Sequence, residues 1–143
     1  MGSTPEGSES RTILLIDDED SVRAIVMKIL QRAKYNVLEA HHGAEGLRVA
    51  AAHEGEIDLV ITDMYMPGLR GPEVIESLAP TRPNVRVLFM SGYTDEDVAR
   101  WGVRPGTGFL HKPFTGQELT SAVEAVLAGP PSGPFASQGR PPG

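Results

Sequence analysis

The chain has 143 residues, 40% hydrophobic and 22% charged, with no cysteine and a net charge of −6. That length suits one domain able to bury roughly 70% of its unfolded surface, and the lack of cysteine excludes disulfides, thiolate metal sites and thiol catalysis and fits a reducing cytoplasm. The acidic balance without a basic cluster argues against a nucleic-acid surface, and no apolar run approaches the ~20 residues of a membrane span.

Residues 1–11 are dominated by Gly, Ser, Glu, Thr and Pro and offer nothing to bury. They read as a disordered tail, because such composition cannot offset the entropy of ordering. Ile13-Leu14-Leu15-Ile16 is a buried strand cut off by acids. Val22, Ile25, Val26, Ile29 and Leu30 then recur at helical spacing and predict one apolar face. Tyr35 to Glu39 is a short second strand. Gly43 to His53 is an Ala-rich helix with Ala44, Leu47 and Ala51 on one side. Ile57 to Thr62 is a third strand. Pro72 suits the first turn of a helix carrying Val74, Ile75 and Leu78. Val85 to Met90 is a fourth strand, and Thr94 to about Trp101 a short, weakly patterned helix. Thr107 to Leu110 is a fifth strand. Thr115-Gly116-Gln117-Glu118 has the pattern of a capping box opening a last helix, with Leu119, Val123, Val126 and Leu127 facing inward. Residues 129–143 are Pro/Gly/Ser-rich and read as a second tail or linker.

Five βα units in succession over residues 12–128 predict a single α/β domain. The sheet is parallel, doubly wound and flavodoxin-like, in order 2-1-3-4-5 and with helices on both faces. Near-continuous aliphatic strands fit a sheet covered on both sides. In such a fold the functional crevice lies beyond the carboxyl ends of the strands.

What stands at those ends is chemically loaded. Strand one runs into Asp17-Asp18-Glu19-Asp20, strand three into Asp63, strand four into Ser91-Gly92, and strand five into His111-Lys112-Pro113. Each alone is explicable as a turn or a cap: Asp20 as a helix N-cap, Ser91-Gly92 and Lys112-Pro113 as loop dipeptides. Together they gather carboxylates, a hydroxyl and an ammonium on one edge. Clustered carboxylates raise one another's pKa, and a hard cation such as Mg²⁺ relieves that. Phosphoryl transfer needs charge neutralisation around three oxygens and an in-line nucleophile, and a carboxylate can be that nucleophile.

These stretches resemble the receiver domains of response regulators in two-component signalling. The resemblance is carried by Ile13-Leu14-Leu15-Ile16-Asp17-Asp18-Glu19, Asp58-Leu59-Val60-Ile61-Thr62-Asp63-Met64-Tyr65-Met66-Pro67, Val87-Leu88-Phe89-Met90-Ser91-Gly92 and Phe109-Leu110-His111-Lys112-Pro113-Phe114. It implies that Asp63 is the phosphoacceptor. Asp17 and Asp18 would serve Mg²⁺, with Asp18 the direct ligand beside Asp63 and the backbone carbonyl of Tyr65 another. Lys112 would pair with the phosphoryl group, Ser91 and Phe109 would be the switch pair, and Lys112-Pro113 would be cis. Gly92 would leave room beside the phosphoryl group, and Pro67 and Gly71 would shape the loop after Asp63. Phe109 stands where the family often has Tyr. Tyr65 and Tyr93, two residues past the acceptor and the switch serine, are expected to slow hydrolysis by their bulk.

The donor implied is a histidine kinase or a histidine phosphotransfer domain, in the cytoplasm. The domain would catalyse only its own phosphorylation and dephosphorylation, and a homodimer is compatible with the reading. The fifteen residues after 128 are too few for a helix-turn-helix, so no direct contact with nucleic acid is expected, nor any with a membrane. A stand-alone regulator and a receiver from a hybrid histidine kinase both fit, and the Ser91-Gly92-Tyr93 and Lys112-Pro113-Phe114 stretches favour the second. A haloacid-dehalogenase-like phosphatase is the rival reading: Asp18 and Asp20 have its two-residue spacing, but it leaves Asp63 without a role. A flavodoxin-like FMN binder would need a Ser/Thr-rich loop where this chain is acidic, and no Walker A or GxGxxG pattern is present. His41, His42, His53 and His111 show no metal-ligand spacing and read as surface residues.

Overall fold

The computed structural model describes residues 11–92 and 108–129. The expected tail at 1–10, the helix expected over 94–101, Tyr93 and Thr107, and the tail from 130 onward lie outside them. The described chain runs β1 (Thr12–Ile16), α1 (Asp20–Arg32), β2 (Asn36–Ala40), α2 (Gly43–Ala52), β3 (Leu59–Asp63), α3 (Gly71–Leu78), β4 (Arg86–Ser91), β5 (Phe109–His111) and α4 (Gly116–Ala128). The five strands form one sheet in the order β2-β1-β3-β4-β5, every neighbouring pair parallel. The expected topology is therefore the observed one.

Side chains alternate across each strand and so divide the core in two. Leu14, Ile16, Val60, Val87 and Phe89 face α2 and α3, where they meet Ala50, Val74, Ile75 and Leu78. Ile13, Leu15, Leu59, Ile61, Leu88 and Met90 face α1 and α4, where they meet Val26, Leu30, Leu119, Val123 and Leu127. All five residues of β1 and of β3 are buried, as central strands of a doubly covered sheet must be.

Two helix faces differ from the pattern read in the sequence. In α1, Ile25 is 60% exposed and Arg23 is buried with Val26 and Leu30. Consecutive residues point ~100° apart around a helix, so a face centred on Val26 and Leu30 turns Ile25 outward and brings Arg23 in. Arg23 tolerates burial because it is fully engaged by acceptors, described below. In α2 the buried positions are Gly43, Gly46 and Ala50, and Ala44 and Ala51 are exposed. The helix packs on Ile16 so closely that a β-carbon on Gly46 would lie 2.5 Å from the Ile16 Cδ1. The close approach keeps Gly46 inward, and the same side brings Ala50 into the core and packs the expected Leu47, with Val49, against it.

The helix ends also follow local chemistry. Thr115 and Glu118 form the expected capping box, with bonds of 3.0 Å and 2.8 Å. Glu73 accepts from the Arg70 N–H at 2.8 Å at the start of α3, and Pro72 sits in its first turn. The N-cap of α1 is Glu19, not Asp20, and Asp20 instead opens the first turn. At the other end of α1, Tyr35 N–H donates to Leu30 C=O at 3.1 Å and Lys34 N–H to Gln31 C=O at 3.0 Å, the paired bonds of a Schellman stop. Lys34 occupies its left-handed position, with φ of 77°.

Candidate functional site

The carboxyl ends of β1, β3, β4 and β5 meet on one edge of the sheet. β3 delivers Asp63, only 8% exposed. The turn after β1 delivers Asp17, fully buried, and Asp18, exposed. Oxygens from Asp17, Asp18 and Asp63 all lie within 4.8 Å of one another. The residue after β5 delivers Lys112, whose Nζ stands 3.1 Å from Asp63 Oδ2, 3.3 Å from Glu19 Oε1 and 3.7 Å from Asp17 Oδ2. The Lys112-Pro113 peptide is cis, as expected. The Lys112 N–H donates to the Ser91 carbonyl at 2.8 Å, which ties the end of β5 to the end of β4.

The loop after Asp63 is shaped by two glycines. Gly68 has φ of 83°, a conformation that costs glycine nothing. Gly71 sits against the end of β3: its N–H donates to the Met64 carbonyl at 3.0 Å, and a β-carbon there would come 2.5 Å from the Asp63 carbonyl oxygen. The expectation that Gly71 shapes this loop thus has a steric basis.

Asp17 is held at each of its polar groups but one. Its N–H donates to the Ala40 carbonyl at 3.2 Å, and its carbonyl accepts from Arg23 at 2.8 Å. Its Oδ1 accepts from the Glu19 N–H at 2.9 Å. Its Oδ2 is buried without a hydrogen-bond partner, the single such side-chain atom among the described residues. Such an atom is costly unless something completes it.

The electrostatics agree. Burial, with Asp17 and Asp18 adding repulsion, pushes Asp63 up to about 6 despite the attraction of Lys112. Burial likewise raises Asp17, against the bond from the Glu19 N–H and the charge of Lys112. Burial works against the charge of Lys112, yet the facing carboxylates Asp63 and Asp17 hold its pKa above the ordinary lysine value. One ammonium among three carboxylates leaves the edge short of positive charge. The donors are hard oxygens, one of them unsatisfied. This arrangement fits a hard divalent cation such as Mg²⁺, with Asp17, Asp18 and Asp63 as the residues to hold it.

The remaining expected site residues are nearby but differently placed. Ser91, 1% exposed, ends β4 opposite His111. Tyr65, 51% exposed, stands two residues past Asp63. Phe109 is half-buried in β5 opposite Phe89, with its ring edge-on to His111 at a centroid distance of 4.7 Å. A β-carbon on Gly92 would meet nothing within 4 Å among the described residues. His41, His42 and His111 are exposed and His53 is half-buried. His42 serves as the N-cap of α2, its Nδ1 accepting from the Glu45 N–H at 3.1 Å.

Sequence reasoning passed over two contributors. Glu19 was read only as part of the acidic run, yet it is the third carboxylate on Lys112. Arg23 was given no role. Its one visible signal is a basic residue three positions after Asp20 at the head of a helix, a spacing that brings side chains together. Asp20 turns to Arg23 at 2.8 Å, so the pair Asp18 and Asp20, on which the phosphatase reading rested, is split between two different partners.

Known proteins carry the same framework. Residues 13–124 match the family described as the response regulator receiver domain. The chain is 38% identical over 121 residues to the sensor kinase CckA of Brucella abortus, covering 84% of this chain and 13% of that protein. It is 35% identical to the receiver domain of the hybrid histidine kinase CckA, with a TM-score of 0.69, covering 81% of this chain and 98% of the other. The response regulator TrrA of Thermotoga maritima, solved with Mg²⁺-BeF, is 28% identical with a TM-score of 0.68, covering 81% and 98%. The match takes in β1 from Ile13, the other four strands whole, and each of the residues Asp17, Asp18, Asp63, Ser91 and Lys112. An acidic edge with one lysine on a 2-1-3-4-5 parallel sheet thus has its place among known folds, and the chain belongs to the response regulator receiver domains of two-component systems.

Proposed function

We propose that this domain takes a phosphoryl group from a phosphohistidine onto Asp63 and changes conformation in response. The observation that carries the reading is the cluster of Asp17, Asp18 and Asp63 with Lys112 Nζ 3.1 Å from Asp63. The Asp63 carboxylate attacks phosphorus, the P–N bond to the donor imidazole breaks, and that imidazole leaves with the bonding pair and takes up a proton. Lys112, already beside Asp63, neutralises charge on the phosphoryl oxygens, and the Ser91 hydroxyl donates to one of them. Asp18 and Asp63 with the Tyr65 carbonyl would hold Mg²⁺, and Asp17 would support it. The metal supplies charge neutralisation at the phosphoryl oxygens.

The added charge of about −1.5 to −2 draws Ser91 toward Asp63. Phe109, half-buried in the neighbouring strand, then moves inward, and the population shifts toward a state whose surface around β5 and α4 differs. The donor is a cytoplasmic histidine kinase or histidine phosphotransfer domain. The domain comprises residues 12–128, and its chemistry is confined to its own phosphorylation and dephosphorylation. Similarity to CckA supports a hybrid histidine kinase as parent.

Amide NMR with Mg²⁺, before and after beryllofluoride, tests this. Large shifts around Asp63, Ser91, Phe109 and Lys112 are expected, and none in Asp63→Ala. No shift in the native protein, or an equal shift in the variant, would sink the proposal.

A further inference from the structure

Arg23 is the one buried cation among the described residues, and its hydrogen bonds go to Asp17, Asp20 and Glu39, none to Lys112 or Asp63. Its guanidinium spreads over three elements. One nitrogen donates to the Asp17 main-chain carbonyl at 2.8 Å, another to Asp20 at 2.8 Å at the head of α1, and Nε to Glu39 at 3.1 Å on β2. The planar fork of arginine can make three such bonds in fixed directions, which lysine cannot. The bond to Asp17 does most for the site. It fixes the carbonyl on the α1 side of the turn, while the Glu19 N–H takes Oδ1 and the Ala40 carbonyl takes the N–H. Only Oδ2 is left over, on the side where Asp18, Asp63 and Lys112 gather.

We infer that Arg23 is a positioning residue that sets the Asp17-Asp18 turn in the geometry for a divalent cation. The inference rests on the metal-assisted reading of the cluster. Arg23 touches neither metal nor phosphoryl group in it. It acts through the Asp17 backbone, and Glu39 and Asp20 keep its own direction fixed.

Charge and position make opposite predictions, which gives a clean test. Removing a positive charge near three carboxylates would by Coulomb's law alone tighten cation binding. Loss of positioning weakens it. Mg²⁺ affinity is measured by isothermal titration calorimetry on the full chain for the native protein, Arg23→Met and Arg23→Lys, below the melting temperature of each as read by circular dichroism. The Kd is expected to rise about tenfold in Arg23→Met, the low end of what losing an outer support of a metal ligand costs. Arg23→Lys keeps the charge and most of the volume, so it serves should Arg23→Met fail to fold, and it too should weaken binding. Phosphorylation by acetyl phosphate should need more Mg²⁺ for its half-maximal rate, with the rate at saturating Mg²⁺ little changed. A Kd unchanged or tighter in folded variants, even with a lowered melting temperature, would mean Arg23 is structural only and would overturn the inference. So would a lower saturated rate at unchanged Kd. If the native protein itself fails to bind Mg²⁺, the metal-assisted reading falls and this inference with it.

Discussion

Gly71 packs its backbone onto the carbonyl of Asp63, the residue at the centre of the acidic edge. A β-carbon there would lie 2.5 Å from the Asp63 oxygen and 3.2 Å from the Met64 Cα. Both neighbours are main chain and cannot swing aside. Gly71→Ala must therefore displace either the start of α3 or the end of β3. Overpacking of this kind costs about 1–3 kcal/mol. We expect chemical denaturation to show a loss in that range, and Mg²⁺ binding to weaken with it because Asp63 moves. A fully stable variant with native Mg²⁺ affinity would show that the contact relaxes without cost.

Lys34 offers a change in the opposite direction. It holds the left-handed position of the Schellman stop after α1, at φ 77°. For a residue with a β-carbon that conformation costs roughly 1–2 kcal/mol, part of which glycine gives back through the freedom of the unfolded chain. Lys34→Gly should therefore stabilise by about 0.5–1 kcal/mol. Lys34 is exposed, and its backbone bond to Gln31 is kept by glycine. Urea titration of the two proteins decides it, and a destabilised Gly variant would refute the strain argument.

The two faces of α1 give a third expectation. Ile25 is 60% exposed, and Leu30 is fully buried between α1 and the sheet. Ile25→Ser should change stability by no more than about 0.5 kcal/mol. Leu30→Ala should cost about 2–5 kcal/mol. Thermal melts of both variants test the assignment, and a large loss in Ile25→Ser would restore the face first read from the sequence.

That face marks where sequence legibility ended. The strand order and the convergence of Asp17, Asp18, Asp63 and Lys112 were legible, because aliphatic runs and the acids that end them are local signals and the crossover rule does the rest. Most of the α1 face was legible as well, since Val22, Val26, Ile29 and Leu30 all pack on the core, but the outward turn of Ile25 and the inward turn of Arg23 were not. Helical spacing admits Ile25 beside Val22 and Ile29, and a hydrophobic pattern has no place for Arg23 on that face. Its burial depends on acceptors from Asp17 and Glu39, which are distant in the chain or carried by the backbone. Likewise Gly46 was silent in a hydrophobic pattern, though its lack of a side chain is what lets Ile16 approach. The contact of Glu19 with Lys112 is also a matter of three-dimensional proximity across 93 positions.

If Asp63 is phosphorylated as proposed, Tyr65, exposed in the loop after it, is expected to limit water access to the phosphoryl group by its bulk. Tyr65→Ala should then shorten the lifetime of the acyl phosphate relative to the native domain. Loss of phosphorylated protein can be followed on a Mg²⁺-supplemented gel that separates the two forms. A clearly longer lifetime in the variant would refute the idea.

The last prediction concerns pH. Asp63 has its pKa raised to about 6, chiefly by burial, against an ordinary value of 3.8. A carboxyl group raised in the folded state binds more protons there than in the unfolded chain between those two values. Its contribution to stability is thus fully present below about pH 4, and is lost as pH rises through 6. Asp17 is raised as well, also by burial first, and acts in the same direction. Without metal, the native protein should become less stable relative to Asp63→Asn as pH goes from 4 to 7, by up to about 3 kcal/mol at one pKa unit per 1.36 kcal/mol. The comparison with Asp63→Asn matters, because groups away from the acidic edge titrate alike in both proteins, so the difference isolates Asp63 and the neighbours that feel its charge, Lys112 first among them. Saturating Mg²⁺ should abolish the difference at pH 7, since the cation binds the ionised carboxylates of the folded state alone and adds stability by mass action. Melting temperatures of the two proteins across that range, with and without Mg²⁺, give the result. A flat difference curve would mean that Asp63 ionises as freely in the fold as in water, and that the acidic edge carries no strain for a cation to relieve.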